Sequence, residues 1–248
     1  MYFIGNWKMF GDFNSFKIIN KINKFNLRNK ALSKKIKIIL CVPNTLIYPF
    51  RKKLKNKFIS LGAQNCHYGD VHGPFTGGVS AHMLKKAGTE YIILGHSETR
   101  LDGDTNQLIK KKIESSLKQK LKVIFCIGET LKEKNKGKTF SILRKQIKDS
   151  ITKKFNPKKI IFAYEPVWSI GTNKILKSND LKKNIKFIKE VCKKNFKIKK
   201  SPSVLYGGSV NDKNISFFSS IKEIDGFLIG GASQSSKKFI DIIKNYYK

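Results

Sequence analysis

Short apolar runs alternate with longer amphipathic segments along the whole chain, and this alternation limits the fold more than any other feature. Each run is short enough to form one buried strand. The segments between them repeat apolar residues near a 3.6-residue period with lysines between, as in residues 108–117. Strands that alternate with helices predict a parallel sheet. The strand-like runs occupy residues 2–4, 36–42, 58–63, 91–94, 123–127, 160–164, 204–206 and 227–229.

The number of runs and the length of 248 residues favour a closed sheet over an open one. We therefore expect an α/β fold, the (β/α)8 TIM barrel, formed by residues 1–248 as a single domain without a linker. An open doubly wound sheet is the alternative, but no G-x-G-x-x-G follows the first run. No apolar stretch approaches the ~18 residues of a membrane span. Because the first run directly follows Met1, we expect a soluble cytoplasmic protein with no membrane partner.

Lysine dominates the charged residues, and 51 Lys and Arg against 17 Asp and Glu give a formal net charge of +34. Such a balance is typical of nucleic-acid-binding proteins. The lysines are spread over nearly every helical segment, for example at 110–112, 182–183 and 237–238, rather than clustered with aromatic residues. We expect a solvated lysine-rich surface and no nucleic-acid partner, and a basic nucleic-acid-binding protein remains an alternative.

The cysteines Cys41, Cys66, Cys126 and Cys192 form no C-x-x-C pair and have no histidine at ligand spacing. We therefore expect neither a metal site nor a disulfide framework. Cys41 and Cys126 lie inside strand-like runs and are expected to be small core residues.

Polar residues and glycines gather just after the apolar runs. In a closed barrel the carboxyl ends of all strands converge on one mouth, where the following loops build the active site. We therefore expect these segments to surround one pocket. They are Gly5-Asn6-Trp7-Lys8, Gln64-Asn65, Gly95-His96-Ser97-Glu98, Gly128-Glu129, Glu165, Gly207-Gly208-Ser209 and Gly230-Gly231-Ala232-Ser233.

Glu165 follows the run 160–164 and begins a loop with its own hinge. Pro166 fixes its own φ and restricts Glu165, so the first part of the loop is expected to move as a rigid piece. Gly171-Thr172 then frees the backbone. A carboxylate followed by a lid that excludes water suits a proton-abstracting base, although a strand-end Glu can also be a structural ion pair.

Two glycine pairs, 207–208 and 230–231, let the backbone approach a ligand after the last two runs. Each pair precedes an expected helix start, at Asn211-Asp212 and at Ser233, so N–H groups there can bind a phosphate. Lys8 adds positive charge and Asn6 a neutral donor at the same mouth. Glycines that serve only as turn residues are the alternative.

His96 follows Leu94-Gly95, with Ser97 able to cap the turn that begins there. The dipole of a helical turn favours a neutral imidazole at its N-terminus. Such a ring can donate a hydrogen bond to a carbonyl oxygen as that oxygen becomes an enediolate. Together with Glu165, Lys8 and a phosphate site, His96 predicts proton transfer next to a carbonyl on a small phosphorylated sugar. An aldolase that forms a Schiff base at Lys8 is a second alternative.

Six segments, in the same order along the chain, resemble the triosephosphate isomerase family. They are Gly5-Asn6-Trp7-Lys8-Met9, Gly95-His96-Ser97-Glu98, Ala163-Tyr164-Glu165-Pro166-Val167-Trp168, Ile170-Gly171-Thr172, Tyr206-Gly207-Gly208-Ser209-Val210 and Gly230-Gly231-Ala232-Ser233. The resemblance implies interconversion of dihydroxyacetone phosphate and D-glyceraldehyde 3-phosphate through an enediolate. Glu165 would move the proton, and Lys8, His96 and Asn6 would stabilise the negative charge. No cofactor is implied.

The resemblance also implies how the substrate is held and covered. The phosphate would be bound by backbone N–H groups of Gly171, Ser209, Gly230 and Gly231. Tyr206 and Ser209 would latch the closed lid, and Glu129 would receive the Trp168 indole in the open lid. Glu98 would support Lys8, with Ser97 beside it, and Thr76 would reach toward the partner subunit in a homodimer. The lid would consist of Pro166, Val167, Trp168, Ser169, Ile170, Gly171 and Thr172, and would extend to Leu176.

Four positions depart from the family pattern. Thr99 stands where the family usually has Arg, and Gly78 where it usually has an acidic residue. In the family those two residues pair across the dimer interface, so their joint absence avoids an unpaired buried charge. In the lid, Ser169 replaces the usual Ala and Asn173 the usual Gly, so we expect altered lid kinetics with the catalytic positions intact.

Overall fold

The computed structural model describes residues 1–55, 58–69, 71–172 and 174–248. Eight parallel strands close into one barrel in the order of the chain, β1 to β8. Tyr2 of the first strand lies opposite Gly226 of the last, and this pairing closes the sheet. The predicted (β/α)8 fold is confirmed. The strands are β1 Tyr2–Asn6, β2 Lys37–Cys41, β3 Ile59–Ala63, β4 Tyr91–Leu94, β5 Lys122–Ile127, β6 Ile160–Tyr164, β7 Val204–Tyr206 and β8 Gly226–Ile229.

Helices connect successive strands and surround the barrel. They are α1 Phe16–Arg28, α2 Lys30–Ser33, α3 Asn44–Lys53, α4 Ala81–Ala87, α5 Ser97–Leu101, α6 Asn106–Lys118, α7 Leu131–Asn135, α8 Thr139–Ser150, α9 Ser178–Phe196, α10 Ile215–Ser219 and α11 Ser236–Tyr246. Short 3₁₀ helices span Phe13–Ser15, Pro157–Lys159, Val167–Ser169 and Gly231–Gln234.

The core has two layers because successive residues of a strand point to opposite faces. Ile4, Ile93 and Leu228 belong to the smaller cluster, which fills the barrel interior. Phe3, Ile92 and Phe227, from the same strands, belong to the larger cluster between strands and helices. Cys41 and Cys126 lie in the interior cluster, and all four cysteines are buried and free. A well-filled interior makes the strand ends a rigid platform for the mouth.

Two local expectations are wrong. After β7 the helix begins at Ile215 rather than at Asn211-Asp212, because Asn211 and Asn214 first close a side-chain turn. After β8 a 3₁₀ turn starts at Gly231, and the α-helix begins only at Ser236, with the Ser235 side chain as its cap. Both shifts lengthen the loops at the mouth.

In the part of the chain that the structure describes, no helix is long and apolar enough to cross a membrane. The same residues contain no group of His, Cys, Asp and Glu arranged to hold a metal ion.

Candidate active site

One cavity of about 640 Å³ opens where the strands end. Its walls come from five of the loops that follow strands. Gln64-Asn65 and Gly128-Glu129, which were expected at the same pocket, do not line it. The predicted catalytic residues Asn6, Lys8, His96 and Glu165 line it, as do Ile170, Gly171, Ser209, Gly230 and Gly231.

Glu165 is the buried carboxylate of this cavity, with only 3% of its surface exposed. Its backbone N–H donates to the carbonyl of Ile127, which fixes it just beyond β6. Oε1 lies 3.5 Å from Nε2 of His96, while Oε2 is buried and has no hydrogen-bond partner among the described residues. Burial raises the pKa of Glu165, and His96 and the Cys126 thiol oppose the rise. A buried oxygen without a partner leaves one acceptor available for a ligand.

Two glycines make room for Glu165. A Cβ on Gly207 would lie 2.7 Å from Cγ of Glu165, and a Cβ on Gly128 would lie 1.7 Å from its carbonyl oxygen. Gly207 was expected to approach a phosphate, but its closest side-chain neighbour in the structure is the carboxylate residue. The Glu165 side chain therefore occupies a slot that any side chain at position 207 would fill.

His96 is itself the N-cap of α5, in the position for which Ser97 was expected. Its Nδ1 accepts a hydrogen bond of 3.2 Å from the backbone N–H of Glu98. A ring nitrogen that accepts carries no proton, so in the neutral imidazole the proton is on Nε2, the atom nearest Glu165. Ser97 contributes its backbone N–H, which favours the ionised form of Glu165. The ring thus presents a donor to the cavity.

Lys8 carries the positive charge of the site. Its ammonium group lies 2.5 Å from Oε1 of Glu98, which supports it as expected. Its backbone adopts a left-handed conformation, φ +56°, stabilised by a hydrogen bond of 3.1 Å from its N–H to Oδ1 of Asn6. Gln234 also donates to the carbonyl of Trp7 at 2.7 Å, which fixes the start of this loop. A non-glycine residue with positive φ is held there only where its surroundings enforce it.

The residues expected to bind phosphate line the same cavity as Lys8. Backbone N–H groups of Gly171 and Gly231 donate to no described residue, whereas that of Ser209 points at the Ser169 hydroxyl, 3.4 Å away. Lys213 and Lys238 also line the cavity, and sequence reasoning did not single them out. Free N–H groups and added cations make this end suited to a dianion.

The segment expected to form the lid is anchored through Trp168 in this structure. Nε1 of Trp168 donates to Oε1 of Glu129 at 3.1 Å, the contact that the resemblance assigns to the open lid. Glu129 is buried and also accepts from the Tyr164 hydroxyl, and burial raises its pKa. Beyond the 3₁₀ turn, Gly171 has φ +69°, which agrees with its expected freedom at the hinge. Asn173 lies outside the described residues.

The remaining predicted residues concern the interface. Thr76 is exposed and does not line the cavity of its own chain. Thr99 donates to the carbonyl of His96 at 3.0 Å, and Gly78 closes a tight turn on Phe75. At both of these departures from the family pattern, the residue present makes a hydrogen bond within its own chain.

Two residues next to the site, Cys126 and Arg100, were not predicted from the sequence. The Cys126 thiol favours the ionised form of Glu165 and so opposes the rise in its pKa, although its position in a strand indicated only a core residue. Arg100 donates to the carbonyls of Gly95 at 2.7 Å and Cys126 at 3.3 Å, so it ties the ends of β4 and β5 together. No local signal identifies the bond from Arg100 to Cys126 or the effect of Cys126 on Glu165, because each joins segments distant in sequence.

Comparison with known proteins gives one consistent result. The family model described as triosephosphate isomerase matches residues 1–246. The triosephosphate isomerase of Alkaliphilus metalliredigens is 38% identical over 245 residues, covering 96% of each chain. That of Dictyoglomus thermophilum is 38% identical over 248 residues, covering 97% of each. The crystal structure of the Bartonella henselae triosephosphate isomerase superposes with a TM-score of 0.86 at 34% identity, over 100% of this chain and 99% of the other.

Proposed function

The chain belongs to the triosephosphate isomerase family, and from this premise we propose how its barrel mouth interconverts dihydroxyacetone phosphate and D-glyceraldehyde 3-phosphate. It is an aldose–ketose isomerase, an intramolecular oxidoreductase of glycolysis and gluconeogenesis. The alternatives, a Schiff-base aldolase and a nucleic-acid-binding protein, receive no support from these comparisons.

The observation that carries the proposal is the pairing of Glu165 with His96. A carboxylate whose Oε2 has no described partner stands 3.5 Å from an imidazole nitrogen that bears a proton in the neutral ring. One group can accept a proton from carbon while the other donates a hydrogen bond to the neighbouring oxygen. Such a pair is what isomerisation through an enediolate requires.

In the proposed reaction, Glu165 takes a proton from the carbon beside the substrate carbonyl. The electron pair of that C–H bond forms the enediolate double bond, and the carbonyl oxygen gains negative charge. Nε2–H of His96 donates to that oxygen, and the ammonium of Lys8 and the amide of Asn6 stabilise the charge. Glu165 then returns the proton to the adjacent carbon. For the atoms to balance, the proton of the substrate hydroxyl moves from the oxygen that becomes the new carbonyl to the oxygen that becomes the new hydroxyl, and Nε2 of His96 is placed to relay it.

The phosphate of the substrate would be bound by the N–H groups of Gly171, Ser209, Gly230 and Gly231. Support comes from the position of all four on the cavity wall. With the phosphate held there, the lid residues Ile170 and Gly171 would cover the reacting carbons and exclude water. Exclusion of water protects the enediolate from losing its phosphate.

The direct test is a coupled isomerase assay on the wild type and on Glu165→Gln. Removing the base should lower kcat by at least ~10²-fold, because no other described carboxylate of the cavity faces His96. Glu90→Gln is the matched control, since Glu90 is an exposed carboxylate at the opposite end of the barrel. A Glu165→Gln variant with wild-type kcat would contradict the proposal.

We also propose that the enzyme is a homodimer that acts in the cytoplasm. Met9 and Leu101 are 101% and 85% exposed, and Phe75 is 40% exposed, which is unusual for large apolar side chains. These residues follow β1, β4 and β3, in neighbouring parts of the barrel rim. A second copy would cover them and bring Thr76 toward the partner's site, as the resemblance implies.

The dimer is tested by hydrodynamic mass at about 10 µM, within the range where specific interfaces remain associated. Phe75→Asp should shift the mass toward one chain, whereas Phe217→Asp should not, because Phe217 is equally exposed, at 38%, but lies on α10. A wild-type mass of one chain would overturn the proposal.

A further inference from the structure

Ser169 is a buried hydroxyl between the lid and the loop after β7. It has no exposed surface, although it lies in a loop at the mouth of the barrel. Its Oγ lies 2.5 Å from the carbonyl oxygen of Lys174, 3.2 Å from the Tyr206 hydroxyl and 3.4 Å from the backbone N of Ser209. A single side chain therefore contacts the far arm of the lid and two residues of the proposed binding loop.

The direction of each of these hydrogen bonds follows from the chemistry of a hydroxyl. Ser169 has one proton and two lone pairs. The carbonyl of Lys174 can only accept, so it takes the proton. The Tyr206 hydroxyl and the Ser209 N–H must therefore donate to Ser169. Burial raises the pKa of Tyr206 to about 12, so its phenol keeps the proton that it donates. All the hydrogen-bonding capacity of Ser169 is used.

The space for this contact exists because residue 208 is glycine. A Cβ on Gly208 would lie 2.8 Å from Oγ of Ser169 and closer still to the Tyr206 hydroxyl. The contact is thus built by three segments, the lid, the end of β7 and the turn after it.

The Ser209 N–H is also one of the groups proposed to bind phosphate. It cannot give a full hydrogen bond to both acceptors at once, because one N–H carries one proton. Phosphate that takes this N–H must therefore displace the Ser169 hydroxyl from it. The same displacement removes one of the contacts that hold the lid where the structure places it.

We propose that the Ser169 hydroxyl is a positioning group that competes with the substrate phosphate for the Ser209 N–H and so couples phosphate binding to release of the lid. The inference rests on the proposed function, since it requires a phosphate at Ser209. Its chemistry is particular to a hydroxyl at position 169, because an alanine there has no acceptor.

This competition predicts the direction in which the inhibition constant for phosphate should change. Ser169→Ala removes the competing acceptor, so inorganic phosphate should inhibit the variant more strongly, with an inhibition constant about 2- to 10-fold lower. KM for the substrate should fall in the same direction while kcat does not rise, because the phosphate is bound equally in the ground and transition states. Damage to the lid alone would weaken phosphate binding, so the direction separates coupling from a structural effect.

Thr172→Ala is the matched control. It removes the other hydroxyl of the lid, whose contacts are the carbonyls of Trp168 at 3.1 Å and Ser169 at 3.3 Å and the N–H of Lys174. Because none of these groups belongs to the phosphate site, its inhibition constant for phosphate should stay within about 2-fold of the wild type. Ser169→Cys nearly keeps the side-chain volume and weakens the hydrogen-bond acceptor. It should therefore lower the inhibition constant for phosphate by a smaller factor than Ser169→Ala does. This variant provides the test if the alanine variant does not fold.

The decisive experiment is competitive inhibition by inorganic phosphate of the wild type, Ser169→Ala, Ser169→Cys and Thr172→Ala. A lower inhibition constant for phosphate in Ser169→Ala and Ser169→Cys, but not in Thr172→Ala, supports the inference. An unchanged or higher constant in both overturns it while leaving the proposed function intact. A wild type that phosphate does not inhibit overturns the proposed phosphate site and this inference together.

Discussion

At the scale of single residues, the proposed chemistry depends on keeping an ionisable carboxylate out of water. Glu165 is buried, one of its oxygens lacks a described partner, and burial raises its pKa. Burial of this carboxylate lowers the free energy of unfolding. It also makes the carboxylate a stronger base, because the charged form is less well solvated. Gly207 and Gly128 provide the space in which the carboxylate is held.

Gly207→Ala should lower kcat by about 10-fold or more with a small change in the free energy of unfolding. Its φ is not in the left-handed region, so alanine fits the backbone, but the new methyl would displace the Glu165 side chain. A displacement on the order of 1 Å in a reacting group costs up to ~10²-fold in rate. Steady-state kinetics and urea unfolding provide the measurements.

Gly128→Ala provides the comparison, because its methyl would meet backbone rather than a side chain. It should lower both activity and the free energy of unfolding, by about 1–3 kcal/mol. Wild-type kcat in Gly207→Ala would show that the glycine contact does not position the base.

The raised pKa of Glu165 also predicts how activity and stability respond to pH. Protonation removes the base, so kcat/KM should fall with decreasing pH at a value above 4.5, the ordinary pKa of a glutamate. The folded state holds this proton more tightly than the unfolded chain, so ionised Glu165 destabilises the fold above its raised pKa, and the cost vanishes below 4.5. Glu165→Gln should therefore be more stable than the wild type at neutral pH, on the order of 1 kcal/mol, and the gain should disappear toward pH 4.

Urea unfolding of both proteins across this range tests the sign. Exposed Glu90→Gln should show no such pH-dependent gain. A Glu165→Gln variant that is less stable than the wild type at neutral pH would contradict burial as the cause.

At the scale of elements, the strands are set by local pattern, while helix ends depend on single residues. α9, the 19-residue helix that follows the lid, ends with Lys197 in the left-handed conformation, φ +54°. Its N–H turns back to the carbonyls of Lys193 and Lys194, which closes the last turn. A side chain in this conformation is strained, and glycine is not.

Lys197→Gly should raise the free energy of unfolding by about 1 kcal/mol, because it removes that strain. Glu190→Gly, at an exposed position inside the same helix, should lower it by about 1 kcal/mol. Thermal unfolding of the two variants should give Tm shifts of opposite sign and roughly 2–4 °C each. A fall in Tm for Lys197→Gly would show that its side chain makes a compensating contact.

At the scale of the whole molecule, the net charge of +34 opposes compaction. The described ion pairs are few and mostly exposed at one partner or both, so they offset little of this repulsion. The exception is the buried pair between Lys112 and Asp104, with atoms 2.6 Å apart, which anchors α6. The surface as a whole therefore keeps a large excess of positive charge.

Tm should therefore rise between about 10 mM and 150 mM NaCl, where the screening length falls from ~30 Å to ~8 Å. Replacing four exposed lysines on different helices with glutamate changes the charge from +34 to +26, since each replacement removes two units. That variant should show a weaker salt dependence. Suitable positions are Lys85, Lys132, Lys148 and Lys237. A Tm that is flat or falls with salt would contradict self-repulsion.

The sequence by itself determined the barrel and proposed Glu165 as the base. Strand–helix alternation is a local pattern, because period and apolar content are set by neighbouring residues. Once the strands form a barrel, every residue just after a strand is placed at the mouth, so Glu165, His96, Lys8 and Asn6 could be assigned to one site. The helix starts after β7 and β8 were wrong because Asn211 and Gly231 form turns that the periodicity does not reveal.

Only the tertiary structure decided which atoms meet inside that site. The slot for Glu165 beside Gly207, the tie from Arg100 to Cys126, and the contact between Ser169 and Ser209 join groups brought together by the fold of the barrel. Which nitrogen of His96 faces the base likewise depends on where the Glu98 N–H points. Apart from the local contact between His96 and Glu98, these contacts are set by distances of a few ångströms between segments tens of residues apart, and no local pattern in a chain encodes those distances.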